Sequence, residues 1–201
     1  MKKGFYLVMA AQALSSLADN ALLIAAIALI VDLQGPDWMA PMMKWWFALA
    51  YVVLAAFVGA FADSYPKGRV MFMTNTVKIA GCLLMFCHQM LGLGVQGQLV
   101  LVFAAYTLVG IGAAAYSPAK YGIVTEMLPP DQLVKGNSWI EGLTVLSIIL
   151  GTVLGGALVN PTVSEKLLGV AWMPAQVATR AEAAILIIGF VYGLAAICNL
   201  L

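Results

Sequence analysis

The sequence predicts an all-α polytopic membrane protein with six transmembrane helices, and three observations carry that reading. Of 201 residues, 63% are hydrophobic and only 9% are charged, where a soluble domain has about 25% charged residues. The mean hydropathy is +0.98, so the chain lacks the polar surface to cover a globule and takes the bilayer as its solvent. The apolar runs are long and show no period-two polarity, which excludes a strand barrel. A net charge of +1 implies no nucleic-acid partner. Cys82, Cys87 and Cys198 are odd in number and sit in or beside apolar runs, so they read as packing thiols rather than a disulfide frame or metal site.

The first candidate span runs from Phe5 to Val31. Lys2, Lys3 and the later Ala11-Gln12-Ala13 have the outline of a secretory signal with its cleavage site. The apolar pattern resumes after Asn20, however, giving roughly 30 residues against the ~7–15 of a signal's apolar core, so a retained helix is expected. Trp45 to Ala62, Val70 to Leu91, Leu99 to Tyr116, Trp139 to Val159 and Ala183 to Leu201 complete the set, each near the ~20 residues that a crossing needs. Turn residues separate them: Gln34-Gly35-Pro36, Tyr65-Pro66-Lys67-Gly68, Gly92 to Gly97, Pro129-Pro130-Asp131 and Asn160-Pro161. Thr162 to Arg180 is too long for a minimal turn and, with Trp172 and Pro174, is expected to lie along the outer surface.

Basic residues orient the bundle. With the N-terminus inside, the cytoplasmic segments hold Lys2, Lys3, Lys67, Arg69, Lys120 and Lys135, against Lys44, Lys166 and Arg180 outside. That excess predicts both ends on the cytoplasmic side. Trp45 and Trp46 suit the outer interface and Trp139 the inner one. His88, at the end of an apolar run, reads as an interfacial polar residue.

Polar residues inside the spans carry the functional signal. Gln12, Ser15, Ser16 and Asp19 are spaced i, i+3, i+4, i+7, which places them on one helical stripe. At ~1.5 Å per residue Asp19 lies ~22 Å into a core of ~30 Å. A charge there is costly against lipid, so it should face protein or a watery cavity. A single Asp gluing helices together is the plainer reading; four polar residues on one stripe favour a cavity wall. In the fifth span Asn137, Glu141, Thr144, Gly151, Thr152 and Gly155 share a face, with Gly151 and Gly155 a close-packing pair that Gly156 extends. Glu141 is either a lining residue or a carboxylate snorkelling to water. Lys78, about 12 Å inside the inner boundary, either pairs with a carboxylate or reaches the cytoplasmic headgroups.

The fourth span ends in GIGAAAYSPAKYG, residues 110–122. Its small residues permit close helix approach, and Pro118 removes a hydrogen bond and permits a break. Lys120 between Tyr116 and Tyr121 suits an anionic amphiphile, or equally a plain interfacial anchor.

The second-to-third connection, GAFADSYPKGRV from Gly59 to Val70, is similar to the loop signature of the major facilitator superfamily, with Gly59 and Asp63 in register. It departs after Asp63: Ser64 stands where an Arg is usual, and the glycine and basic pair arrive late as Lys67-Gly68-Arg69. Together with SSLADNALL and AAAYSPAKYGIV, the chain resembles the bacterial lysophospholipid transporters of that superfamily over residues 5–201, most specifically at SPAKYG. The resemblance implies one six-helix half of a twelve-helix transporter, N-in and C-in. Residues 1–201 would form two inverted three-helix repeats, about 4–91 and 98–201. It implies movement of lysophosphatidylethanolamine and related lyso forms from the outer to the inner leaflet of the bacterial inner membrane. It further implies a second six-helix half, or self-association, and a partner acyltransferase-synthetase. No cofactor is expected beyond a coupling cation such as sodium or a proton, tied to Asp19.

On this reading Asp19, Asn20, Ser15 and Ser16 hold a cation or the ethanolamine ammonium, while Lys120 attracts the phosphate with Glu141 on the opposite wall. Gly59, Asp63, Lys67 and Arg69 form a cytoplasmic gate, since a carboxylate at a helix end can pair with a basic group and release it as the halves rock. The alternatives are a facilitator of another small amphiphile or drug, a non-transporting structural half, and an intramembrane enzyme using Asp19 with Glu141 or His88. The last lacks a second deep Asp or a Ser-His constellation.

Overall fold

The computed structural model describes residues 3–169, 174 and 177–200. Among these, six helices are long and apolar enough to cross a membrane: α1 (Lys3–Asp32), α2 (Met39–Ser64), α3 (Lys67–Phe86), α4 (Val95–Met127), α5 (Leu133–Val159) and α7 (Arg180–Cys198), with the short α6 (Pro161–Leu168) between the last two. The described residues contain no strand, as the apolar runs predict.

Local chemistry fixes most of the ends. Pro66 precedes α3 and Gly94 precedes α4. The Asn160 side chain accepts from Thr162 N, with Pro161 as the first residue of α6, where its missing N–H costs nothing. Thr179 and Glu182 form a reciprocal capping box at the start of α7. Trp172 lies outside the described residues, so the surface-lying expectation rests on α6 alone.

Two boundaries correct the sequence reading. α4 does not stop at Tyr116 or break at Pro118; it continues to Met127. The extension buries Ala119, Lys120, Ile123 and Val124, and that packing outweighs the one hydrogen bond Pro118 cannot donate. His88 is not a surface residue of the bundle. α3 tightens into a 3₁₀ turn at Cys87–Gln89, which carries the imidazole into a fully buried site.

The helices pair closely where glycines remove the side chain. A Cβ on Gly155 would come within 2.7 Å of the Ala21 carbonyl, and one on Gly151 would meet the Leu17 carbonyl, so α5 lies directly on the α1 backbone. Gly156 points into open space and does not extend this pair. Nor is the polar set of α5 a single buried face. Gly136, Ile140, Ser147, Gly151 and Gly155 are buried, whereas Asn137, Glu141 and Thr152 are exposed, because the packed seam is rotated from them around the helix. Gly81 and Gly112 of α4's partner seam work alike: a Cβ on Gly112 would stand 2.9 Å from the Lys78 Cγ and the Thr74 carbonyl.

α1 packs chiefly on α5 and α7, and α4 chiefly on α2 and α3, with α3 against α7. Exchanging α1, α2 and α3 with α4, α5 and α7 leaves this pairing unchanged. Gly4 lies against the Met127 side chain and Gly68 against the Asn199 carbonyl, so both chain ends described here share one face of the bundle. The most apolar windows of α2 and α5 are only 11% and 22% buried, against 44% to 56% for the other four spans. These two helices flank the bundle and leave wide apolar faces uncovered.

Two apolar clusters divide the core along the helix axes. One joins Ala18 to Ile30 of α1 with Cys82, Tyr106 and Ile188; the other joins Phe5 and Met9 with Met71, Ala119 and Ile140. Between them lies a polar layer of Gln12, Ser15, Thr74, Asn75 and Lys78, all buried.

Candidate functional site

That polar layer opens into a cavity of about 260 Å³ lined by Gln12, Ser15, Ser16, Asp19 and Asn20 of α1. The four-residue stripe expected on α1 therefore shares one wall, as its 100° periodicity requires. Lys78 from α3, Tyr116, Ser117 and Lys120 from α4, and Thr144 from α5 complete the polar lining. Lys44, Phe47, Tyr51 and Tyr106 close the side toward α2.

An ion pair sits at the centre. Lys78 Nζ donates to Asp19 Oδ2 at 2.9 Å and to Ser15 Oγ at 2.9 Å. Tyr192 of α7 donates its hydroxyl to Asp19 Oδ1 at 2.6 Å, and Ser15 Oγ donates to Asn75 Oδ1 at 2.7 Å. The ammonium also stands 5.0 Å from the Tyr116 ring centroid and 5.5 Å from that of Tyr192, so two π faces help replace its hydration. The side chain of Lys78 is 1% exposed and that of Asp19 is 16% exposed. The lysine is thus locked in protein, while one side of the carboxylate remains open to the cavity. Of the two fates open to Lys78, the structure takes the carboxylate pair. The short residues of α4 at Gly112 make the room for its stem.

The remaining expected residues divide. Asn20 donates to the Ser16 carbonyl at 2.9 Å and Gln12 donates to the Ile140 carbonyl at 3.3 Å. Lys120 donates to Thr144 Oγ1 at 3.3 Å and stands over the Tyr121 ring at 4.7 Å. Tyr116 and Tyr121 do not flank it together. Five residues apart on a continuous helix they point about 140° apart, so Tyr116 turns to Lys78 and Tyr121 outward. Glu141 does not line the cavity wall opposite Lys120; it is exposed and accepts from the Tyr121 hydroxyl at 2.7 Å. At the α2–α3 connection Asp63 and Lys67 form an ion pair at 2.6 Å, with Lys67 also donating to the Ala62 carbonyl at 2.8 Å. Arg69 is exposed and does not join the Asp63–Lys67 pair, and Gly59 has open space around its Cα.

The major facilitator profile matches residues 8–201 of this chain. The chain belongs to the Major Facilitator Superfamily. The resemblance read from GAFAD, SSLADNALL and SPAKYG is thereby borne out, and the six apolar helices make this superfamily member a multi-pass membrane protein. Three curated relatives of the chain carry the name lysophospholipid transporter LplT. That of Pectobacterium carotovorum is 50% identical over 153 residues, covering 76% of this chain and 35% of the relative. That of Yersinia enterocolitica is 46% identical over 160 residues, covering 80% and 37%. That of Klebsiella pneumoniae is 41% identical over 200 residues, covering 98% and 43%. The chain thus spans between 35% and 43% of the length of these relatives.

Sequence reasoning missed Phe47, Tyr51, Tyr106 and Ser117 of the cavity lining, and two polar groups whose absence matters more, Tyr192 and Lys44. Tyr192 is a lone hydroxyl in an aliphatic helix, a signal visible in the sequence but without a partner until the fold supplies one. Lys44 reads as an outer basic residue, yet it borders the cavity. Conversely His88 does not line the cavity; its Nδ1 stands 3.0 Å from the Met85 carbonyl and its Nε2 3.8 Å from Glu182. Neither partner suggested for an intramembrane enzyme, Glu141 or His88, shares the cavity with Asp19.

Proposed function

We propose that this chain is a six-helix half of a lysophospholipid transporter that works by alternating access. It would carry lysophosphatidylethanolamine and related lyso forms from the outer to the inner leaflet of the bacterial inner membrane. The observation that carries the reading is the Asp19–Lys78 pair, deep in an apolar bundle and open to a cavity on the carboxylate side. A zwitterionic headgroup brings an ammonium and a phosphate, and each needs a counter-charge once its water is removed. Asp19, with Asn20, Ser15 and Ser16 around it, offers the site for the ammonium or for a coupling cation such as sodium or a proton. Lys78 and Lys120, released from intramolecular partners, offer two cations to the phosphate. Substrate entry therefore competes with the resting pair, so that binding of the headgroup and rearrangement of α1 against α3 become one event.

The second six-helix half would cover the exposed faces of α2 and α5 and close the cavity. The exchange symmetry of the helix pairing supports two three-helix repeats within this half, with rocking about the cavity as the transport motion. Gly59, Asp63, Lys67 and Arg69 would act at the cytoplasmic gate, and re-acylation of the delivered lipid would fall to a partner acyltransferase-synthetase. The names and identities of the relatives favour a lysolipid over another amphiphile. The test is lysolipid uptake by the complete two-half protein in proteoliposomes. Asp19→Asn is expected to abolish uptake and its cation response; unchanged uptake would remove Asp19 from the path.

A further inference from the structure

The end of α3 carries a titratable pair that transport along α1 does not use. The 3₁₀ turn Cys87–Gln89 packs against α4 and holds His88, with a side chain 0% exposed, beside Glu182 of the first turn of α7, 2% exposed. Neither residue lines the Asp19 cavity, and His88 stands ~15 Å along the helix axis from Lys78. The helices that meet here, α3 and α7, are the two that the repeat exchange relates to each other.

Hydrogen-bonding chemistry fixes the state of the ring. His88 Nδ1 stands 3.0 Å from the Met85 carbonyl; a carbonyl only accepts, so Nδ1 carries the hydrogen. In the neutral ring Nε2 is then a bare lone pair. It is buried without a hydrogen-bond partner and faces Glu182 Oε1 at 3.8 Å, one acceptor against another. The carboxylate is held in that position from its other sides. Its Oε2 accepts from the Ala178 and Thr179 amides at 2.8 and 2.9 Å, and its Oε1 accepts from Gln89 Nε2 at 2.7 Å. Leaving a buried acceptor unpaired is costly, and one added hydrogen on Nε2 removes that cost.

We propose that His88 and Glu182 form a proton-binding site, in which a proton taken from water bonds to Nε2 and turns the facing lone pair into an N–H donor to the carboxylate. Glu182 supplies the counter-charge that a buried imidazolium needs. Closing the gap to the ~2.7–2.9 Å of a charge-assisted bond ties the end of α3 to the start of α7. Gln89, next in the chain, is exposed, so the site lies one residue below the surface and within reach of water. The surrounding ionisable groups leave the pair to itself. Arg180 of α7 is engaged with Asp32 of α1 at 3.4 Å. Beyond Lys78, α3 and its 3₁₀ turn offer only the thiols Cys82 and Cys87, and α4 has no ionisable side chain before Tyr106. The α3–α7 seam therefore tightens as the medium at the Asp32 end is acidified, whatever the transported substrate.

The experiment uses the complete two-half protein in detergent, with any histidine of the second half replaced. His88, the one histidine of this chain, then gives the only signal in nitrogen-15 histidine NMR. It should carry hydrogen on Nδ1 alone at about pH 8 and on both nitrogens at about pH 5.5. Thermal unfolding over the same range reads the tie. The Tm of wild type relative to His88→Gln should rise by about 2–4 °C between the higher and the lower pH, because only the protonated ring makes the added bond. Glu182→Gln should erase that rise and leave His88 neutral at the lower pH. Hydrogen on Nε2 in place of Nδ1 at the higher pH, a wild-type His88 still neutral at the lower one, or a wild-type Tm that runs parallel to that of His88→Gln would overturn the assignment.

Discussion

Replacing Lys78 by Ala removes the cation of the central pair and strands its carboxylate. The side chain gives up two bonds of 2.9 Å, to Asp19 and to Ser15, and two aromatic faces at 5.0 and 5.5 Å. Asp19 would keep only the Tyr192 hydroxyl at 2.6 Å. Breaking a buried pair from one side costs about 3–5 kcal/mol, and the cavity-facing part of Asp19 argues for the lower end, about 3 kcal/mol. For a chain of this size that corresponds to an apparent Tm lower by about 6–12 °C, read by thermal unfolding in detergent. The second arm is the double variant Lys78→Ala/Asp19→Asn. It no longer carries an uncompensated charge, so it should unfold above Lys78→Ala, with a coupling of up to about 3 kcal/mol. Equal Tm values for wild type and Lys78→Ala, or strictly additive losses in the double variant, would refute the buried-pair reasoning.

Three further outcomes follow from other parts of the bundle. Gly151→Leu should prevent normal α1–α5 packing, because even a Cβ would meet the Leu17 carbonyl; loss of the monodisperse peak in size-exclusion chromatography checks it. Asp63→Ala should leave the Tm nearly unchanged, because the Asp63 side chain is 81% exposed and exposed pairs contribute about 0–1 kcal/mol. If the connection is a gate, the same variant lowers turnover in proteoliposomes while substrate binding survives. Glu182→Ala should cost about 1–3 kcal/mol, measured as a Tm loss, because the buried carboxylate accepts from Gln89 Nε2 at 2.7 Å and from the Ala178 and Thr179 amides at 2.8 and 2.9 Å.

The membrane class and the six spans were legible because hydropathy and run length are additive properties of local sequence. The α1 stripe was legible for the same reason, since helical periodicity alone puts Gln12, Ser15, Ser16 and Asp19 on one side. What failed locally was α4 beyond Tyr116: Pro118 is a real helix breaker in isolation, and only the burial of Ala119 to Val124 carries the helix past it. The site's partners were hidden by distance along the chain. Lys78 and Tyr192 lie 59 and 173 residues from Asp19, and nothing in their neighbours names the carboxylate they share. The surroundings of His88 were hidden in the same way: a polar residue at the end of an apolar run gives no sign of the buried Glu182 that α7 places 3.8 Å from its Nε2. Family likeness supplied the transport reading; the geometry gave Lys78 its carboxylate and added Tyr192 and Lys44.

A transport path along α1 requires water to reach the stripe around Asp19 inside an otherwise apolar bundle. Single cysteines at Asn20 and at Ala18, introduced into the complete protein with Cys82, Cys87 and Cys198 replaced, test this directly in membranes with a hydrophilic thiol reagent. Asn20 borders the cavity and Ala18 is fully buried in the dry cluster. Asn20→Cys is expected to react, with protection by added lysolipid, and Ala18→Cys to stay unlabelled. Equal inertness at both positions would mean that the α1 stripe faces a dry seam, and would contradict the account.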